Sequence, residues 1–141
     1  MFKVPAQSTA TATALLVLRL IVGIAFILHG WGKIQAPANW MPPGGPVALS
    51  PFLQVMAALS EFGGGILFVL GLFTPLAALA IGITMSVAVY FHSVLFKDPF
   101  VNMTGQGGSF ELPLVFFGIA LLLLFAGPGK FSLDQKFFGK R

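Results

Sequence analysis

The longest stretch of this chain without a charged side chain runs from Phe62 to Phe96. As one helix it would be about 52 Å long, whereas the hydrocarbon core of a bilayer is about 30 Å thick. The Thr74-Pro75 pair lies inside this stretch, and proline favours the first position of a helix. The stretch therefore predicts two consecutive membrane-spanning helices that are joined by a turn at Thr74-Pro75.

The composition extends this prediction to the whole chain. Of its 141 residues, 57% are hydrophobic and only 9% are charged, whereas a soluble domain carries about 25% charged residues. A globule of this size has too much surface to hide so many apolar side chains, and a disordered chain would carry far fewer of them. We therefore predict one all-α membrane domain with four transmembrane helices. The spans are expected near residues 9–33, 52–73, 75–96 and 110–126, and a surface tail over 130–141.

Four spans place both termini on the same side of the membrane. The basic residues are divided unequally between the two sides, and cytoplasmic loops and termini usually carry the excess. The chain is therefore expected to be a multi-pass membrane protein with cytoplasmic termini. Five basic residues lie on the side of the termini (Lys3, Lys130, Lys136, Lys140 and Arg141) and two on the other (Lys33 and Lys97).

The residue types present exclude several classes of function. The chain contains no cysteine, so a disulfide, a thiol nucleophile and a cysteine-ligated metal are all excluded. Its eight Lys and Arg residues are spread along the chain and form no nucleic-acid-binding surface. Any redox role would need a bound cofactor or a partner protein.

Two charges fall within the predicted spans. Arg19 lies about 15 Å from the cytoplasmic end of the first span, and Glu61 about 18 Å from that end of the second. Because an unpaired charge at such a depth is costly, we expect a buried Arg19–Glu61 ion pair. Helical spacing places Arg19 on one stripe with Gly23 and Gly30, and Glu61 on a stripe of small and polar residues on which helices can approach closely. The pair is interpreted either as a structural element, or as part of a proton relay or a substrate contact.

A second group of titratable residues is expected near the outer ends of three helices: His29, Lys33, His92 and Glu111. Such a set could bind a metal, bind a ligand and move protons to it, or simply form hydrogen bonds in the mouth of the bundle. No pair of these residues has a metal-ligand spacing on one helix, so no metal site is assigned. We predict that the four side chains line one cavity.

Three segments carry a family resemblance: RLIVGIAFILHGWGK, EFGGGILFVLGLFTPLAA and GPGKFSLD. They resemble the DoxX family of small four-helix bacterial membrane proteins, which implies a location in the bacterial inner membrane. The family is named for a subunit of a terminal quinol oxidase, and its relatives include the membrane part of a thiosulfate:quinone oxidoreductase. The matching positions are Arg19, His29, Gly30, Lys33, Glu61, Gly64, Gly71, Gly127, Gly129 and Asp134.

The resemblance and the buried titratable residues favour a redox-associated membrane subunit, or a small oxidoreductase component that handles a quinone or a small sulfur species. Quinone is the cofactor or substrate that this hypothesis names, with a membrane or soluble oxidoreductase as the partner. Two alternatives stay open. One is a non-catalytic assembly or anchoring protein, and the other is a carrier of protons or small solutes that works as a homo-oligomer.

Overall fold

A computed structural model describes residues 6–42, 44–45 and 47–139, and these contain helices and no strand. The long apolar helices confirm the predicted all-α membrane bundle. Three of them are long and apolar enough to cross a membrane, and the fourth is a shorter apolar helix of 16 residues. The elements are α1 (Thr9–Gln35), α2 (Pro51–Leu70), α3 (Thr74–Tyr90) with a π-helical turn (Phe91–Leu95), α4 (Glu111–Ala126) and the short α5 (Leu133–Phe138).

The turn between α2 and α3 lies where the sequence predicts it. Gly71 ends α2 in the left-handed conformation, with a φ of 63°, which glycine adopts at no steric cost. α3 begins at Thr74, and Pro75 lies in its first turn, where a missing N–H breaks no hydrogen bond. The two spans predicted from the long uncharged stretch are therefore separate antiparallel neighbours.

Helices α1 and α2 pack with their backbones in contact. A Cβ atom built on Gly30 would lie 2.5 Å from the backbone nitrogen of Phe62, and one on Gly65 would lie 2.7 Å from the carbonyl oxygen of Gly23. Such close approach needs small residues, which drive helix association in lipid. These contacts fix the register of the two helices: Gly30 lies level with Phe62, and Gly23 with Gly65.

The two ends of the described chain meet at one end of the bundle. The side-chain amide of Gln7 donates to the carbonyl of Ala126 at 2.8 Å, and the Lys130 ammonium donates to the Thr9 hydroxyl at 2.6 Å. Both ends of the described chain therefore lie on one side, as four spans require. That this side is cytoplasmic stays a prediction. Three of the basic residues behind it (Lys3, Lys140 and Arg141) lie outside the described residues.

Candidate functional site

A cavity of about 200 Å³ opens at the end of the bundle that is opposite to the chain ends. We call it the outer pocket. All four long helices contribute to it, so it exists only in the assembled bundle. Four of its lining residues are titratable (His29, Lys33, Glu61 and His92), and six are apolar (Phe26, Met85, Ala88, Leu112, Pro113 and Phe116).

Lys33 and Glu61 form an ion pair in the outer pocket. The Lys33 ammonium donates to Glu61 Oε1 at 2.5 Å, and the two side chains are 25% and 4% exposed. The second carboxylate oxygen, Oε2, is buried and has no hydrogen-bond partner among the described residues. The Lys33 ammonium also lies over the ring of Trp40, 4.6 Å from its centroid. This cation–π contact further stabilises the ammonium in its position. The pair thus combines a buried acid with a base that can still reach the cavity.

The loop between α1 and α2 is fixed so that Trp40 covers Lys33. The indole N–H of Trp40 donates to the carbonyl of Gln54 at 2.9 Å. The Gln54 side chain in turn accepts from the N–H of Met41 at 3.0 Å and donates to the carbonyl of Leu49 at 3.0 Å. These bonds hold a loop that is rich in proline and glycine against the first turn of α2.

His92 lies on the π-helical turn that ends α3, and π-helical turns are frequent at functional sites. Its Nδ1 lies 2.7 Å from Asp98 Oδ2. The other histidine, His29, packs edge-on against Phe116, with 6.2 Å between the ring centroids. Three of the four residues predicted for the outer cluster (His29, Lys33 and His92) therefore line one cavity.

The prediction that the fourth residue, Glu111, lines this cavity is wrong. It is the first residue of α4, and its side chain is exposed. An acid at the start of a helix is stabilised there in water by the helix dipole, and α4 turns the next residues, Leu112 and Pro113, to the cavity. Glu61 supplies the carboxylate that lines the cavity. No group of three or more potential metal ligands is found among the described residues.

The predicted Arg19–Glu61 ion pair is also wrong. Glu61 pairs with Lys33, while the Arg19 guanidinium donates to the carbonyl oxygens of Phe68 at 3.2 Å and Phe131 at 2.6 Å. Phe68 follows Glu61 by seven positions, which corresponds to about 10 Å along α2. The depth count failed because the N-terminal turns of α1 extend past the end of α2, where residues after α4 cover them.

Arg19 instead belongs to a second polar cluster, at the end of the bundle where the chain ends meet. Asp134 is fully buried there and accepts hydrogen bonds from the N–H groups of Phe73 at 2.7 Å and Thr74 at 2.9 Å. It also attracts the Arg19 guanidinium electrostatically. The segment predicted as a surface tail is thus anchored in the bundle at Asp134, while Phe137 stays 62% exposed.

Sequence reasoning missed Asp98 and the role of Asp134. The chain has only four acidic residues, so each of these two was a strong candidate for pairing with a basic group. Asp98 follows His92 by six residues, just beyond the end of the third span. Only the fold of the following loop, however, turns its carboxylate back toward the histidine ring.

Comparison with known proteins places these features in a family. The family model described as DoxX matches residues 14–94. An uncharacterized protein of Haemophilus influenzae is 36% identical over 87% of this chain and 90% of its own length. The inner membrane protein YqjF of Escherichia coli is 35% identical over 85% of this chain and 88% of its own length.

A third relative, from Bacillus subtilis, carries the name "Putative oxidoreductase CatD" and is 32% identical over 62% of this chain and 63% of its own length. No solved structure matches the chain. The family model confirms the resemblance of the three sequence segments. This membrane protein belongs to the DoxX family.

Proposed function

We propose that the outer pocket binds the ring of a quinone or quinol and that the protein is a redox-associated membrane subunit. One observation carries the proposal: four titratable side chains from three helical segments face the same cavity as an aromatic and aliphatic wall. Quinone chemistry needs both parts, because an apolar ring must be bound and protons must be exchanged at its oxygens. Ligand pockets combine an apolar lining with a few convergent polar groups in the same way.

The described residues favour a quinone over a small sulfur oxyanion. Phe26, Met85 and Phe116 offer apolar surface that a ring can bury, whereas a hydrated anion gains nothing from it. The sulfur species of the wider hypothesis would therefore react elsewhere, on a partner protein.

In this function the chain supplies binding and protons. The Lys33 ammonium donates a hydrogen bond to a ligand oxygen, and the two histidines exchange protons with the ligand. The electrons are exchanged with an oxidoreductase that shares the same quinone. The name of the Bacillus subtilis relative supports a link to oxidoreduction.

Fluorescence of Trp40 provides a direct test. The chain has two tryptophans, so the variant Trp31→Phe leaves only Trp40, which lies against Lys33. We expect short-chain ubiquinone and menaquinone analogues to quench this fluorescence saturably in nanodiscs. Lys33→Met, which removes the donor to a quinone carbonyl, should weaken binding at least about tenfold, which corresponds to about 1.4 kcal/mol.

The matched control is Glu111→Gln, which removes a carboxylate at the same end of the bundle but outside the cavity. It should leave the affinity unchanged. Quenching that does not saturate, or that is equal in all variants, would contradict a quinone site in the outer pocket. A partner that copurifies irrespective of pocket variants would then favour the assembly protein, and proton or solute flux in proteoliposomes would favour the carrier.

A further inference from the structure

His92 and Asp98 form a pair that is held from several directions. Besides the 2.7 Å contact between Nδ1 and Oδ2, the backbone N–H of Asp98 donates to the carbonyl of His92 at 2.8 Å. The His92 ring also packs edge-on against Phe96, with 5.5 Å between centroids. The π-helical turn and the residues after it therefore close into a small unit around the imidazole.

The loop that leads to α4 packs against this unit and holds it in place. A Cβ atom built on Gly108 would collide with the Asp98 carboxylate and would lie 3.1 Å from His92 Nδ1. The backbone of Gly108 thus packs directly against the pair. The base of the loop is fixed by the bond from the N–H of Glu111 to the carbonyl of Phe100 at 3.1 Å.

This geometry assigns the two ring nitrogens different roles. A carboxylate can only accept a hydrogen bond, so Nδ1 must carry a proton and donate it to Asp98. No hydrogen bond from the described residues engages Nε2, and the ring lines the outer pocket. The nitrogen that remains for a ligand is therefore a hydrogen-bond acceptor when the imidazole is neutral.

We infer that His92 is the proton acceptor of the outer pocket, that Asp98 is its positioning residue, and that the pocket is built for the reduced, hydroxyl-bearing form of its ring ligand. The inference rests on the proposed function and adds which redox form is bound. A quinol O–H can donate to Nε2, whereas a quinone carbonyl offers that nitrogen nothing. In the transfer, the ligand O–H bond breaks, an N–H bond forms at Nε2, and the electron pair stays on the phenolate oxygen.

The other charged and titratable groups of the pocket suit such a transfer. The Lys33 ammonium stabilises a phenolate, and the Asp98 carboxylate stabilises the imidazolium that forms, as the acid does in a catalytic triad. Glu61 is neutralised by its contact with Lys33, and His29 lies on the Phe116 side of the cavity. The step needs no oxidant, because only a proton moves.

The tautomer of His92 is the first test. The chain has two histidines, so in His29→Gln all imidazole signals come from His92. Nitrogen-15 NMR of this variant in nanodiscs should show the tautomer with a protonated Nδ1. Adding Asp98→Asn should shift it to the other tautomer, because an amide can donate to Nδ1. Gly108→Ala should also weaken the preference, because it displaces the carboxylate while keeping every titratable group.

Binding of two probes is the second test. The oxidised probe is a short-chain ubiquinone analogue, and the hydroxyl probe is 4-nitrophenol, whose absorbance reports whether its proton has been lost. In wild type we expect 4-nitrophenol to be bound as the phenolate. Asp98→Asn should weaken 4-nitrophenol binding at least about tenfold and leave the quinone affinity almost unchanged, with Glu111→Gln as the control for charge.

The outcomes separate the two claims. Selective loss of the hydroxyl probe together with the tautomer change supports the role of the His92–Asp98 pair. If the quinone binds to wild type but Asp98→Asn changes both affinities equally or neither, the inference is overturned and the quinone site stands. If wild type binds no quinone analogue at all, the proposed function falls, and the inference falls with it.

Discussion

The charged side chains at the two ends of this bundle have different kinds of hydrogen-bond partner. At the end with the chain termini, Arg19 and Asp134 are fully buried, and their hydrogen bonds go to the backbone. At the other end, Lys33 bonds Glu61 and His92 bonds Asp98, side chain to side chain, around a cavity. Charged side chains that form hydrogen bonds with the backbone hold segments of the chain together. Charged side chains that pair with each other beside a cavity can exchange that partner for a ligand.

The comparison also separates two functions of the residues that match the DoxX family. Arg19, Gly71 and Asp134 meet at the turn between α2 and α3, where a Cβ on Gly71 would collide with the Arg19 guanidinium. His29 and Lys33 lie in the outer pocket. We therefore expect variants of the first set to reduce stability most and variants of the second to reduce binding most, and four predictions test this division.

The largest loss of stability is expected for Arg19→Met. The substitution removes the donor to two buried carbonyls and leaves Asp134 as a buried charge without its counter-charge, which should cost about 3–5 kcal/mol. Unfolding by SDS, followed by circular dichroism, measures the difference. Lys130→Met removes a more exposed basic residue at the same end and should cost far less. Equal losses in the two variants would show that Arg19 does not anchor the fold.

A smaller and asymmetric effect is expected for the Lys33–Glu61 pair. Lys33→Met leaves a buried carboxylate without its donor, which should cost about 1.5–3 kcal/mol. Glu61→Gln leaves an ammonium that reaches the cavity and the Trp40 ring, so about 0.5–1.5 kcal/mol is expected. The same SDS titration, with the double variant included, checks the order. If Glu61→Gln were the more damaging change, Glu61 would have a further partner.

Next comes Gly30→Ala, which tests whether close packing of α1 and α2 sets the register of the pocket. The added Cβ would meet the backbone of Phe62, and such overpacking costs about 1–3 kcal/mol. It should also weaken the quenching of Trp40 by quinone analogues, because Lys33 lies one turn further along α1. Gly32→Ala is the matched control, since nothing lies within 4 Å of its Cβ position. Equal effects of the two substitutions would argue against this packing.

The smallest effect is expected for Glu111→Gln, which should change neither the unfolding midpoint nor the binding of either probe. The Glu111 side chain is exposed, and surface substitutions of this kind are close to neutral. A clear loss of quinone binding in this variant would return Glu111 to the site and would contradict the boundary drawn here between pocket and surface.

Several parts of the fold could be predicted because they depend on short-range chemistry. Pro75 lies in the first turn of α3, a position that proline favours irrespective of the tertiary structure. The glycines at 23, 30, 64 and 65 mark faces where helices can approach closely, and all four are buried. The meeting of His29, Lys33 and His92 followed from their common distance to the helix ends.

The partners of the charged groups could not be predicted. Counting residues from the span ends suggested Arg19 opposite Glu61, but the close contact of Gly30 with Phe62 places Glu61 level with Lys33. The error amounts to about 10 Å along α2. Similarly, nothing local in the tail shows that Asp134 accepts hydrogen bonds from the start of α3.

By itself, the sequence determined that this chain is an all-α membrane bundle with four apolar helices, with its turns at proline and glycine and its charges confined to a few positions. These properties follow from hydropathy and backbone conformation, which act over a few residues. Only the tertiary structure decided that Lys33 binds Glu61, that Asp98 orients His92 and that Asp134 anchors the tail near Arg19. Which groups form an ion pair depends on the register of two packed helices and on the path of a loop. A shift of one helix along the other by one turn, ~5.4 Å, exchanges one partner for another.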